Sequence, residues 1–332
     1  MCHIYYVNAR PIFLIALTFL ILSCFYRRFC TFATMKRRIL FVINPVSGTG
    51  RQKTAETIIT THIDNQHIEP HIVYTQKAKH AFELSKEAIG VFDAVVAVGG
   101  DGTVNEVSRA LIDTQTALGI IPVGSGNGLA HYLQIPLTIE KAVKVINDFQ
   151  LMPIDTININ NLKYVNVAGV GFDAFISHKF AGYGKRGILS YLKLIIEEFF
   201  RYKAKKYKVR IDGKKYKKRA FLITFANSSE FGNNAHIAPK AKIDDGLIDV
   251  CFLKKFPLIS APVLGLRLFN KTMDKSKYSK IIRGKEIQVK RKKKPIVAHI
   301  DGEPVTFDKK LNIAVNSLSL HVIVPEKFRQ KT

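Results

Sequence analysis

The stretch Val95-Val96-Ala97-Val98-Gly99-Gly100-Asp101-Gly102-Thr103-Val104-Asn105-Glu106 limits the architecture of this chain more than any other. A run of β-branched and small apolar residues stops at two glycines and an Asp-Gly, after which Val104, Val107 and Leu111 recur at helical spacing. The pattern predicts a strand, a tight turn and a helix start. Gly99, Gly100 and Gly102 leave no Cβ in the way of a ligand. A helix start, with free N–H groups at the positive end of its dipole, is a ready phosphate site. Asp101 would repel such an anion, so its expected work is to orient a metal, a hydroxyl or a neighbouring loop. A βα turn without any ligand is the plain alternative for this loop taken alone.

The same alternation runs through the first half. An apolar strand at 39–43 leads into Asn44-Pro45-Val46-Ser47-Gly48-Thr49-Gly50 and then a helix through Ala55, Ile58 and Ile59. Strand 68–75, helix 80–89 and strand 117–123 follow, the last running into Gly124-Ser125-Gly126-Asn127-Gly128-Leu129-Ala130. Such spacing predicts a parallel, doubly wound α/β sheet, with ligands beyond the carboxyl ends of its strands. Three loops rich in Gly, Ser, Thr and Asn should therefore face one crevice. Neither a GxxxxGK[ST] loop nor a GxGxxG after the first strand is present. Many backbone N–H groups and small hydroxyls suit a triphosphate instead.

After Ile154-Asp155 the helical alternation fades into short runs at 158–159, 163–169, 207–211, 221–226, 248–253, 286–290 and 297–300, which predict an antiparallel β-domain. One helical insertion, 189–200, carries an apolar face of Leu192, Ile195, Ile196 and Phe199; it reads as core, with a lipid-lining role as the alternative. The tail from 311 to 324 alternates apolar residues and is expected to return to the first domain. The predicted organisation is an extension at 1–34, a first domain at 35–155, a second at 156–310 and the returning segment at 311–332.

Charge narrows the partners. The 51 Lys+Arg against 26 Asp+Glu give a formal net charge of +25, which favours an anionic partner. Lys203, Lys205, Lys206, Lys208, Arg210, Lys214, Lys215, Lys217, Lys218 and Arg219 form one cluster, and Lys290-Arg291-Lys292-Lys293-Lys294 with Lys275, Lys277, Lys280 and Arg283 another. Both lie in the second half and suggest docking on an anionic membrane surface, at about 1 kcal/mol per close cation. Nucleic acid is not expected, since neither base-stacking aromatics nor a groove-reading helix is apparent.

Three of the four cysteines lie in the first thirty residues and only Cys251 belongs to the body, which fits a reducing, cytoplasmic compartment. The extension holds an uncharged run at 12–22 with Arg27, Arg28, Lys36, Arg37 and Arg38 after it and Arg10 before it. Two readings stand: an anchor that leaves the body at the cytoplasmic face, or a stretch upstream of a start at Met35.

Three ordered motifs, Asn44-Pro45-x-Ser47-Gly48, Gly99-Gly100-Asp101-Gly102-Thr103-x-Asn105-Glu106 and Pro122-x-Gly124-Ser125-Gly126-Asn127-x-Leu129-Ala130, resemble the diacylglycerol kinase and sphingosine kinase superfamily, above all the soluble bacterial lipid kinases of the diacylglycerol kinase type. The resemblance runs from Lys36 to the C-terminus. It implies an ATP-binding domain similar to that of phosphofructokinases and NAD kinases, a β-rich lipid-binding domain, and transfer of the γ-phosphate to a lipid hydroxyl, diacylglycerol first. Carried over by residue, it implies that Asn44, Ser47, Thr75, Gly99, Gly100, Asp101, Gly102, Thr103, Asn105 and Ser125 meet the nucleotide. Ser125 stands where many bacterial members have Thr, and Gly124 to Ala130 leans toward the sphingoid and ceramide kinase form, which leaves the acceptor open.

Two further segments match. Pro239-x-Ala241-Lys242-Ile243-Asp244-Asp245-Gly246-Leu247 resembles the family's Mg²⁺ segment, mapping the metal to Asp245 with the main chain of Lys242 and Leu247. A type I′ Asp-Gly hairpin is the plain alternative. His299-Ile300-Asp301-Gly302-Glu303 matches the family's Asp-Gly-Glu signature, which implies Asp301 as general base and leaves His299 pointing to the other face of its strand. Mg²⁺ arriving with ATP is expected to reach Asp101 through water. A lipid substrate and an anionic membrane are the implied partners, and a homodimer is compatible with them. A kinase of a soluble acceptor resembling NAD kinases, and a basic membrane-binding protein without catalysis, are the readings from other classes.

Overall fold

The computed structural model describes residues 36–47, 54–182, 188–292 and 295–330. The extension at 1–34 and Gly48 to Gly50 lie outside the described residues.

Runs with apolar side chains on both faces become the central strands of a parallel sheet, because both faces are then covered by helices. Strands β1 (Arg37–Ile43), β2 (Ile68–Tyr74), β3 (Ala94–Gly99) and β4 (Ala117–Pro122) pair in parallel in the order β2-β1-β3-β4. Helix α1 (Ala55–His62) packs against α5 (Ile139–Asp148), and α2 (His80–Glu87) against α3 (Asp101–Leu111), giving the two outer layers of a doubly wound unit. Every residue of β3 and of β4 is buried. The short α4 (Gly128–Tyr132) follows β4.

The second unit is a sandwich of antiparallel sheets. Its first sheet continues the parallel one: β5 (Leu151–Ile159), β8 (Lys205–Ile211), β9 (Lys214–Ala220), β13 (Glu286–Lys290) and the long β16 (Lys310–Ile323). β16 pairs antiparallel with β13 and β5, and in parallel with β4 through Val322↔Leu118. A bulge between Asn316 and Leu320 bends it, with Leu318 in left-handed conformation. Beyond the bulge, Leu320, Val322, Ile323 and Val324 join the core of the first unit.

The second sheet orders β12 (Ser279–Gly284), β11 (Ile248–Leu253), β10 (Leu222–Ala226), β7 (Val167–Gly171), β14 (Ile296–Ile300) and β15 (Glu303–Phe307), all antiparallel. One face meets the first sheet through Phe225, Val250, Val209 and Ile287. The other is covered by α6 (Phe172–Ala181), α7 (Ile188–Arg201) and α8 (Ala261–Phe269), with Phe172 stacked on Phe221 at 4.5 Å between ring centroids.

Several elements differ from the sequence-based expectation, each for a physical reason. The run 163–169 is two strands, β6 (Leu162–Tyr164) and β7, because the chain leaves the sheet at Val165-Asn166 to bond elsewhere. The charged strand β9 has almost no apolar alternation, yet it is held by pairing with β8 over its whole length. On α7, Phe199 and Leu194 are core, whereas Ile196 is 59% exposed and belongs to no core. Asp245-Gly246 is a turn in the loop before β11, with positive φ at Gly246 and not at Asp245, so it is not a type I′ hairpin.

Candidate active site

The parallel register Ile43↔Tyr74 and Ile43↔Val98 brings Asn44, Thr75 and Gly99 to one edge of the sheet. The Thr75 N–H donates to the Ile43 carbonyl at 2.9 Å. Asn44 donates through Nδ2 to Thr103 Oγ1 at 3.0 Å and accepts the Val46 N–H at 3.0 Å, while Ser47 Oγ donates to the Asn44 carbonyl at 2.9 Å. The first loop is thereby fastened to the first turn of α3, whose leading N–H groups have no intrahelical partner. A Cβ on Gly124 would lie 2.4 Å from the Gly100 Cα, so two glycines are needed for the second and third loops to touch. Ser125 is exposed at the crest of the third loop.

Asp101 has a defined job. Its Oδ2 accepts the Asn127 N–H at 2.8 Å and its Oδ1 the Gly128 N–H at 2.7 Å. Of the roles open to it from sequence, orienting a neighbouring loop is the one its contacts fulfil. Each oxygen thus holds one N–H, which uses two of the about four acceptor sites of a carboxylate.

Asp301 and Gly302 form the two-residue turn between β14 and β15, across the pair Ile300↔Glu303, and both have positive φ, 46° and 87°. This is the tight hairpin that an Asp-Gly pair favours. The turn also aims the carboxylate inward. Oδ1 accepts the N–H groups of Asn166 at 3.1 Å and Val167 at 2.8 Å, and Oδ2 that of Val165 at 3.2 Å. Burial pushes the Asp301 carboxyl up to about 6, against the lowering by those three N–H groups and His299. A carboxylate has about four acceptor sites, so one remains for a substrate.

That carboxylate lines a cavity of about 230 Å³ between the two units, together with Asp101, Asn105, Ser108, Leu129 and Phe231. The cavity wall mixes a polar corner with apolar surface from both units. Asn105 is 3% exposed and its Oδ1 has no partner among the described residues. Its burial makes that oxygen a ready acceptor for a ligand hydroxyl or water.

The hairpin is tied to α6. Ser177 on α6 donates Oγ–H to the Gly302 carbonyl at 2.6 Å. Burial raises the Glu303 carboxyl, with Arg109 of α3 acting against the rise across the domain boundary. His299 points away from the cavity and pairs Nε2 with Asp173 Oδ2 at 3.2 Å, in space that the absent side chain of Gly169 leaves open.

The segment holding Lys242, Asp245 and Leu247 lies apart from this cavity, under the bulge of β16. Asp155, fully buried, accepts the Gly246 N–H at 2.7 Å and the Leu318 N–H at 2.8 Å and so ties the turn to the bulge. The Asp245 carboxylate accepts the Leu247 N–H at 3.1 Å and faces Arg283 Nη1 at 3.8 Å. Arg283 also donates to Asp249 Oδ1 at 3.2 Å and to the Lys240 carbonyl. A guanidinium thus already balances the carboxylate. Among the described residues there is no cluster of three His, Cys, Asp or Glu side chains that could hold a metal, so a divalent ion here would rest on Asp245 and main-chain carbonyls, as the resemblance implies.

Sequence reasoning missed Asn166, Val165 and Val167, which act through main-chain N–H groups and so leave no signature, and Ser177 and Phe231, which are placed only by the fold. Asp155 was legible as the point where the alternation changes.

Two family models divide the chain. Residues 38–159 match the diacylglycerol kinase catalytic domain, and residues 166–323 the YegS C-terminal NAD kinase beta sandwich-like domain. The diacylglycerol kinase of Bacillus subtilis strain 168 is 31% identical over 227 residues, covering 66% of this chain and 74% of that one. The chain belongs to the diacylglycerol kinase family. It is accordingly a lipid kinase, an ATP-dependent phosphotransferase. A family member of Serratia proteamaculans described as "Probable lipid kinase YegS-like" is 27% identical over 273 residues, 80% of this chain and 87% of that one. In fold, a crystal structure of a diacylglycerol kinase from Bacillus anthracis str. Sterne superposes with a TM-score of 0.68 at 19% identity, over 89% of this chain and 99% of that one. Yeast NADH kinase shares the architecture more distantly, at a TM-score of 0.52 and 12% identity, over 88% of this chain and 84% of that one. Among the described residues no helix of this family member is long and apolar enough to cross a membrane.

Proposed function

We infer that this kinase transfers the γ-phosphate of ATP to the hydroxyl of a membrane lipid, diacylglycerol to phosphatidic acid first among them, with Asp301 as general base. The observation that carries this reading is the Asp301 carboxylate, held by three main-chain N–H groups at a cavity lined by both polar and apolar residues. A soluble, wholly polar acceptor would have no use for Leu129, Val165, Val167 and Phe231 there.

The phosphates of ATP are taken by the loops at the edge of the parallel sheet, where Asn44, Ser47, Thr75, Ser125 and the start of α3 offer hydroxyls, an amide and N–H groups. The acceptor hydroxyl lies against the free site of Asp301. As its oxygen bonds to the γ-phosphorus, the bond to the β–γ bridging oxygen breaks, ADP leaves, and the hydroxyl proton passes to the carboxylate. Mg²⁺ arriving with ATP would shield the phosphate charge that develops. Positioning and exclusion of water supply most of the acceleration, and a base supplies roughly 10²- to 10⁴-fold.

An anionic bilayer is the partner this reading requires, and the net charge of +25 supports it. The motif Gly124 to Ala130 keeps sphingoid bases and ceramide in view as acceptors. The test is γ-phosphate transfer from Mg·ATP to diacylglycerol, sphingoid base, ceramide and NAD, each with and without anionic vesicles. Transfer to diacylglycerol with loss in Asp301→Asn is expected. Transfer to NAD without vesicles would overturn the lipid acceptor.

A further inference from the structure

We propose that the outer face of α8 is the surface by which this kinase lies on an anionic bilayer, a proposal that rests on the acceptor being a lipid. Helix α8 is apolar nearly all round, Arg267 being its only charge, but among the described residues only one side of it joins a core. Leu264 and Leu268 join the core beneath the second sheet. On the opposite side Val263 is 54%, Leu266 63% and Phe269 59% exposed, and Ile259, one turn ahead, is 88% exposed. The spacing 259, 263, 266 and 269 puts these four on one face. An unpartnered stripe of large apolar side chains marks an interaction site.

Charge decides what covers it. From 254 to 283 the chain carries eight Lys or Arg and one acidic residue, Asp274, which pairs with Lys240. Lys254, Lys271, Lys275 and Lys277, which flank the helix in sequence, are all exposed. Apolar side chains rimmed by cations fit the headgroup boundary of an anionic leaflet.

The position is right for delivery of the acceptor. The Leu268 carbonyl accepts the His236 N–H at 2.9 Å, and the 231–235 turn beside it carries Phe231 into the wall of the cavity that Asp301 lines. A bilayer under α8 therefore meets the kinase next to its cleft.

The basic strands, the alternative docking surface, lie on the other side of the sandwich. Lys310↔Lys290, Lys290↔Lys208 and Lys208↔Lys217 set four lysines in one cross-strand row. Their neighbours Leu311, Val289 and Val209 point into the inter-sheet core, so the row faces outward, away from α8. It also sits at the Phe307 end of β15, whose far end, Glu303, adjoins Asp301. That strand spans about 14 Å at roughly 3.4 Å per residue. One flat bilayer cannot touch both surfaces, and only the α8 face combines apolar side chains with a route to the cleft.

The test compares the wild type, Ile259→Glu/Leu266→Glu, and Lys208→Gln/Lys290→Gln by co-sedimentation, without ATP, with vesicles of phosphatidylcholine and phosphatidylglycerol. All four residues are exposed, so each variant should keep the wild-type melting temperature. The first variant should lose about tenfold or more of its vesicle partition and the second less than about threefold. Equal losses in both, or no loss in the first, would overturn the proposal, as would a change of solution mass in the first variant with vesicle binding intact, which would make the face a contact between copies. Transfer to a short-chain diacylglycerol below its critical micelle concentration should be unchanged in both variants. Absence of transfer to diacylglycerol by the wild type, both as the short-chain monomer and in these vesicles, would instead remove the lipid reading, whatever the partition shows.

Discussion

Asp301 and Val167 hold each other by two hydrogen bonds, the Asp301 N–H reaching the Val167 carbonyl at 2.8 Å and the Val167 N–H reaching Asp301 Oδ1 at 2.8 Å. The pair closes a ring between the hairpin turn and the start of β7. Among the described residues only main-chain N–H groups hold the carboxylate, which keeps one oxygen site open to the cleft.

The first consequence concerns pH. A base works only when ionised, so transfer should rise with pH through about 6, the value to which burial lifts Asp301. Stability carries the opposite sign. A carboxyl raised above its unfolded value, about 3.9, favours the folded state at low pH, and that contribution is lost as pH rises through about 6. Profiles of kcat/KM between pH 4.5 and 8 check the first statement. A flat profile from 5 to 7 would exclude Asp301 as the base.

The glycines of the third loop should differ when replaced by alanine. At Gly124 the new Cβ meets the Gly100 Cα at 2.4 Å, and backbone must move. At Gly126 it meets Asp101 Oδ2 at 2.3 Å, and a side chain moves. Gly124→Ala should therefore cost about 1–3 kcal/mol of stability. Gly126→Ala should cost less and mainly raise the KM for ATP, because the tie between Asp101 and the Asn127 and Gly128 N–H groups is lost. Denaturant melts and ATP titrations of the two variants separate these effects.

Ser177→Ala removes the bond to the Gly302 carbonyl and nothing in the nucleotide loops. One hydrogen bond is worth about 0.5–1.5 kcal/mol, so the fold should survive. A base that drifts by a fraction of an ångström still costs rate, on the order of tenfold. A fall in kcat with the ATP KM unchanged is expected, and Ser177→Thr should recover part of it.

Arg283 lies 3.8 Å from the Asp245 carboxylate, to which the family resemblance maps a cation. In the absence of nucleotide, the melting temperature of the wild type should be the same in millimolar Mg²⁺ and in EDTA. Arg283→Gln leaves Asp249, 2% exposed, without its ion pair, at a cost of about 1–3 kcal/mol. Mg²⁺ should then recover part of the loss. Stabilisation of the wild type by Mg²⁺ alone would show that the guanidinium does not displace a metal.

Much of the fold and of the cleft was legible in the sequence, for identifiable reasons. Strands such as Val95 to Val98 and Ile120-Ile121 are buried on both faces and announce themselves as continuous apolar runs. The Asp301-Gly302 turn was readable both as a hairpin and as a motif, and it is a hairpin whose side chain faces the cleft. What could not be read was anything carried by the main chain or by distance in the fold. The N–H groups of Val165 to Val167 have no residue signature. The cations from 275 to 294 look like one cluster in sequence, but the sandwich puts Lys275 and Lys277 on the α8 side and Lys290 on the opposite face. Helix α8 itself was missed because its two apolar faces blur the 3.6-residue period that a half-buried helix shows.

The most direct test of Asp301 as the base is single-turnover transfer from ATP to diacylglycerol by the wild type and Asp301→Asn, with nucleotide affinity measured in parallel. The variant is expected to bind ATP as the wild type does and to transfer phosphate about 10²- to 10⁴-fold more slowly. Equal transfer rates would contradict the assignment of the base, and with it the catalytic role of the cleft between the two units.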